Sequence, residues 1–328
     1  MNLSVEADPK FLNRLAWNVR WSDRRRSTSA ARSALTLAEA RSEMGADAAA
    51  ALRTLSWQAK WRGDFDGAME HALACEALVT EADAPDLRGD CYSILGVIHY
   101  SRHRLDLAQS ATQRGLSLDG LPDTSWIDLM TTQATIQRYM GHHGKAGITL
   151  MRARERATGA ELARVEHNLA RWMAQHGDAD GAITHADTSI ALSEAHGNRV
   201  ILPYAHEIAG EACATLGRDA EAARHFRRGT EIAVEDDDMR VLCQLLYCSA
   251  TFEAGRGDHG RALDQLSYGA RIAEDMDYPL WQKKFALSLA EVLEATGDLA
   301  GALEAHKSAW ALNDQMRDDC IGATPRSG

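Results

Sequence analysis

The chain has 328 residues, a net charge of −11, 45% apolar and 25% charged residues, and only six prolines. The acidic balance argues against direct nucleic-acid binding, which needs Lys and Arg to neutralise phosphates, and no run approaches the roughly 18 consecutive apolar residues of a membrane span. Alanine and leucine are abundant and runs of Val, Ile and Thr are rare, which favours helix over sheet.

In chain order, residues 1–47 come first. The N-terminus MNLSVEADPKFLNR lacks the apolar core of a signal peptide. The stretch FLNRLAWNVRWSD…ARSALTLAEARSEMG predicts a degenerate capping helix pair whose corner, Trp21-Ser22-Asp23, has no glycine. From 48 to 315 one ten-residue phrase recurs. It reads GDFDGAMEHA from Gly63 and GDADGAITHA from Gly177. Relatives start at Gly141, Gly217, Gly257 and Gly297, with a weaker copy at His103. Successive spacings are 40, 38, 36, 40, 40 and 40 residues, a fixed period that marks a repeat array. Residues 316–328, ending CIGATPRSG, are expected to form a flexible tail.

Each repeat predicts two helices around a corner. The glycine ends the first helix because it tolerates the left-handed backbone. Asp64, Asp178, Asp258 and Asp298 then start the second helix at its positive end. Small residues fall at three fixed offsets: seven before the corner (Ser56 to Ala290), five after it (Ala68 to Ala302) and twelve after it (Cys75 to Ala309). They let antiparallel helices approach closely. Pro85, Pro122, Pro203 and Pro279 fall where one pair hands over to the next, a place that tolerates proline.

This small–small–small spacing resembles the tetratricopeptide repeat (TPR) family. All seven units match it, and four keep the Gly-Asp corner, whereas the family's Tyr and Trp signatures are poorly kept. The period is near 40 instead of the usual 34. The resemblance implies an all-α, right-handed superhelical solenoid of about eight helix pairs. "LAW…RWSD" is also similar to the opening of TPR sensory regions that precede bacterial diguanylate cyclase domains, although no GGDEF-like motif exists here.

Catalytic and metal motifs fail on spacing. HEIAGE begins like an HExxH zinc helix, but Gly210 stands where the second histidine belongs. Gly144-Lys145 lacks the P-loop's earlier glycine, because Tyr139 is there, and Ala146 follows where a hydroxyl is needed. Adjacent His142 and His143 on a corner point in different directions. Cys243 and Cys248 do not share a helix face, and the six cysteines form no CxxC pair. They suit buried free thiols in a reducing cytoplasm. The expectation is a cytoplasmic non-enzyme with no cofactor and no metal.

The resemblance implies that the first helix of each pair lines a concave groove. Its groove positions lie three, six and ten residues before the corner. They give Arg53, Trp57, Lys60, Tyr100, Arg138, His167, Arg171, Glu207, Glu211, Tyr247 and Glu291, with Arg164 and Asn168 nearby. This row is basic in its early units and acidic in its later ones, and can orient an extended peptide or partner helix by charge. Arg164, His167, Asn168 and Arg171 share a face and suit a carboxylate or phosphate. The alternative is that these charges pair with one another across neighbouring units or only keep the ribbon soluble. Only Asn168 matches the family's clamp for C-terminal carboxylates, which disfavours a chaperone-tail binder. The expected function is a non-catalytic scaffold that binds a protein or peptide in bacterial signal transduction. The alternative is the sensory region of a larger signalling protein, a diguanylate cyclase or a transcription regulator, whose output domain is absent from this chain.

Overall fold

The computed structural model describes residues 8–41, 45–82 and 84–322. These form helices alone, in eight consecutive pairs. The first pair is α1 (Pro9–Asn18) and α2 (Arg24–Ala40), followed by α3 (Ala46–Arg62) and α4 (Phe65–Ala82). Next come α5 (Pro85–Ser101) with α6 (Leu105–Leu116), and α7 (Asp123–Tyr139) with α8 (His143–Arg156). The fifth and sixth pairs are α9 (Gly159–Gln175) with α10 (Ala179–His196), and α11 (Leu202–Thr215) with α12 (Asp219–Glu235). The last are α13 (Met239–Gly255) with α14 (His259–Asp275), and α15 (Pro279–Thr296) with α16 (Leu299–Gly322). No described helix is long and apolar enough to cross a membrane.

The repeated phrase is the corner of each pair. Gly63, Gly141, Gly177, Gly217, Gly257 and Gly297 all hold φ between 69° and 86°, and His103 holds 58° at the corner without glycine. Asp64, Asp178, Asp258 and Asp298 each accept a hydrogen bond from the backbone N–H three residues on, at 2.8–3.2 Å. They therefore satisfy one of the N–H groups that a helix start leaves without a partner. Proline stands in the first turn of α5 and α15, where no N–H is needed.

The small residues sit where the paired helices touch. Ala68, Ala108, Ala182, Ala222 and Ala262 are all fully buried. Ser56 adds a bond across its pair by donating from Oγ to the Ala68 carbonyl at 2.7 Å. A Cβ at Gly210 would lie 2.7 Å from the Phe226 ring, and one at Gly269 2.2 Å from the Phe285 ring. Those two glycines set how closely the neighbouring aromatic can pack.

The chain divides into two compact units, Met1–Ile208 and Ala209–Gly328. In the first, the corner between α1 and α2 meets the last helices of the same unit. The Arg199 N–H donates to the Trp21 carbonyl at 3.0 Å, and Arg20 pairs with Glu161 at 3.0 Å. Trp17, Trp21, Trp57, Trp61 and Tyr204 form a chain of edge and tilted ring contacts with centroids 4.7–6.4 Å apart. In the second unit, α16 runs on to Gly322, so 316–322 of the expected tail is helical; no glycine or proline interrupts the chain between Gly301 and Gly322. Residues 323–328 lie outside the described residues.

Candidate functional site

The early basic residues of the first-helix row divide by burial. Arg53, Trp57, Lys60, Arg164 and His167 are buried, as is the acidic Glu207. Helix α3 is buried around most of its circumference because α1, the Trp21 corner and Tyr204 cover the face that carries Trp57 and Lys60. Arg53 lies 3.5 Å from the Trp17 ring centroid and pairs with Asp90 at 3.1 Å. Arg164 pairs with Asp128, and Arg171 with Glu207 at 2.6 Å. Each of these three pairs joins one repeat to the next. Lys60 lies 4.9 Å from the Trp61 ring centroid.

Asp90 and Asp128 are missing from the groove positions drawn from the sequence. They sit thirteen residues before their corners, together with Arg164 at the same offset, one helical turn beyond the nearest groove position. Extending the row by one turn would have revealed two acids one unit away from two arginines. Burial pushes the Asp90 carboxyl up to about 6, although Arg53 pulls it down.

An accessible cationic cluster remains on α7 and α9. Arg138 is half-buried, and its guanidinium lies 5.0 Å from the Tyr139 ring centroid. Tyr139 stacks on Tyr100 at 5.5 Å. Burial and then the charge of Arg171 lower the Arg138 pKa, and Tyr139 and Tyr100 only partly offset them. Arg164 pairs with Asp128 and Arg171 with Glu207, whereas Arg138 forms no ion pair among the described residues. Arg138, Thr135, Asn168, Arg171 and Trp172 line a small hollow between α7, α8 and α9. The Asn168 amide donates to the Arg164 carbonyl at 2.8 Å, which fixes its orientation beside the cluster. His167 is held neutral: burial comes first, and the charges of Arg171, Arg138 and Arg164 add to push its pKa well below 6.5.

This arrangement suits an anion. A guanidinium presents a planar fork of donors that matches a carboxylate or phosphate. Desolvation strengthens such contacts relative to exposed ones.

The remaining groove positions belong to the second unit. Glu211 is exposed and accepts from the Cys248 thiol at 3.2 Å. Tyr247 is half-buried, with its ring 5.8 Å from that of Trp281. Glu291 is exposed.

No protein-family model matches this sequence, and no curated protein matches it. Solved structures match its fold. The Rap conjugation gene regulator of the plasmid pLS20, solved in complex with the Phr* peptide, superposes with a TM-score of 0.66 at 12% identity, over 97% of this chain and 98% of that one. A Rap protein complexed with Competence and Sporulation Factor gives 0.65 at 13% identity, over 94% and 98%. A STAND protein with a tetratricopeptide repeat sensor from Pyrococcus horikoshii gives 0.59 at 14% identity, over 95% of this chain but 49% of that one. The chain therefore has the all-α, TPR-like helical-repeat fold of these signalling proteins.

Proposed function

We propose that this chain is a non-catalytic regulator in bacterial signalling, which binds an extended peptide along the first helices of its N-terminal unit. Arg138 anchors an acidic side chain or a free C-terminal carboxylate of that peptide. The observation that carries this reading is the Arg138 guanidinium, which forms no ion pair among the described residues and lies half-buried beside the Tyr100–Tyr139 stack and Asn168. A similar fold solved in complex with the Phr* peptide adds support. Arg171 and Asn168 complete the anion subsite.

The test is a selection from a library of random octapeptides against the wild type and Arg138→Glu. Arg138 is the residue to change because Arg171→Glu would also leave Glu207 beside a like charge. Selected peptides should carry Asp, Glu or an essential free C-terminus. They should bind the variant at least tenfold more weakly, about 1.4 kcal/mol. No enrichment, or equal binding to both proteins, would contradict the proposal.

A second reading is favoured by the match to 49% of the STAND protein. In it, the chain is the sensory part of a longer protein, and the peptide signal passes to an output domain such as a diguanylate cyclase or a DNA-binding domain. Sequencing the natural transcript on both sides of these 328 residues decides it: an in-frame output domain at either end supports this reading, and in-frame stop codons on both sides remove it.

A further inference from the structure

A second cavity lies wholly in the C-terminal unit and shares no lining residue with the Arg138 cluster. It is a groove of about 700 Å³ between α12 and α14, the second helices of two successive pairs, with α13 as its floor. Its volume falls in the range of ordinary ligand sites. Along α12 it extends from Ala223 to Glu235, a length of about 18 Å at a rise of about 1.5 Å per residue.

The floor holds an under-satisfied acid. Glu253 lines the groove and is only 7% exposed. Its nearest cations are Arg256 at 3.7 Å and Arg261 at 4.0 Å. Both distances exceed hydrogen-bond length. Each arginine has a closer aspartate: Asp219 lies 3.1 Å from Arg256, and Asp258 lies 3.3 Å from Arg261. An ionised carboxylate can accept about four hydrogen bonds, so Glu253 keeps most of its capacity unused. Gln265, which also lines the groove, leaves its side-chain carbonyl without a partner. The buried groups left unused are therefore acceptors, and an occupant that reaches them must bring donors, whereas Arg227 and Arg261 in the same lining are exposed to solvent. Apolar surface lies next to them: Leu246 on the floor, and Phe226 and Val234, the latter 53% exposed, on the α12 wall.

We propose that this groove receives a segment of a partner protein that carries a lysine or arginine between apolar side chains. The cation reaches Glu253, and the flanking apolar side chains rest on Phe226, Leu246 and Val234. Three features fix the occupant. The unused acceptors select a cation, the apolar walls select a side chain on an apolar segment, and the length of the groove selects a peptide over a single small amine. The site is independent of the Arg138 cluster.

Fluorescence anisotropy tests it with a labelled, helix-forming peptide of roughly twelve residues, with one central lysine flanked by leucines. A matched peptide carries norleucine in place of the lysine. The lysine peptide should bind the wild type. Norleucine should weaken binding at least tenfold, and Glu253→Gln should do the same. Val234→Arg, a change at an exposed position, should also weaken binding, and it carries the test if Glu253→Gln fails to fold. Absence of binding, equal binding of the two peptides, or variants that bind like the wild type would overturn the proposal. Displacement of the peptide by equimolar spermidine would also overturn it, by assigning the groove to a small polyamine.

Discussion

His103 holds a left-handed backbone at the one repeat corner that lacks glycine, with φ of 58°. An L-residue with a Cβ is disfavoured there by about 1–2 kcal/mol, and glycine gives part of that back through a more flexible unfolded chain. His103→Gly should therefore stabilise the protein by up to about 1 kcal/mol, read as a higher midpoint in urea; a lower midpoint would mean that the histidine side chain contributes to the fold. Asp90 makes a second prediction at this scale. Its carboxyl titrates at about 6 in the fold, against an ordinary 3.8. Between those values the folded protein keeps a proton that the unfolded chain has lost, so this group's contribution to stability falls as pH rises through that window and is flat above it. The stability of the wild type relative to Asp90→Asn should accordingly decline between pH 4 and pH 6, by urea titration at each pH. A gap that is constant with pH, or that widens, would contradict the burial argument.

Helix spacing is set by the small residues at the corners and pair interfaces. Ala222 is fully buried, and a Cβ at Gly269 would meet the Phe285 ring. Ala222→Leu and Gly269→Ala should each destabilise by about 1–3 kcal/mol through overpacking, measured by thermal or urea unfolding. An unchanged transition for Ala222→Leu would mean that the repeat register is misassigned. Cross-repeat ion pairs add positional information on the first helices. Arg53–Asp90, Arg164–Asp128 and Arg171–Glu207 bring neighbouring first helices into register. They contribute less to net stability than their number suggests, because burying charge costs about as much as pairing returns.

At the scale of the whole chain, the helix pairs were legible in the sequence because corner chemistry is local. A glycine, a capping aspartate and three small residues at fixed offsets report a helix pair with no knowledge of the rest of the chain. All seven corners from Gly63 to Gly297 lie where that spacing puts them. The site was less legible because burial on the inner face depends on contacts between residues far apart in sequence. Trp21 meets Arg199, and Tyr204 meets Trp61, across well over a hundred residues. That closure covers Trp57 and Lys60, two positions that a corner-based count of groove residues treats the same as Arg138. The electrostatic partners Asp90 and Asp128 fell outside the count for a simpler reason, since they lie one turn further along the same face.

A peptide seated along the first helices of the N-terminal unit at the Arg138 cluster, as proposed, would shield their backbone amides from exchange with solvent. Hydrogen–deuterium exchange on the protein alone and saturated with a selected octapeptide tests it most directly. Exchange should slow in α7 and α9, over Asp123–Tyr139 and Gly159–Gln175, and the slowing should be abolished in Arg138→Glu at the same peptide concentration. Slowed exchange confined to Ala209–Gly328, or slowing that persists unchanged in Arg138→Glu, would contradict it.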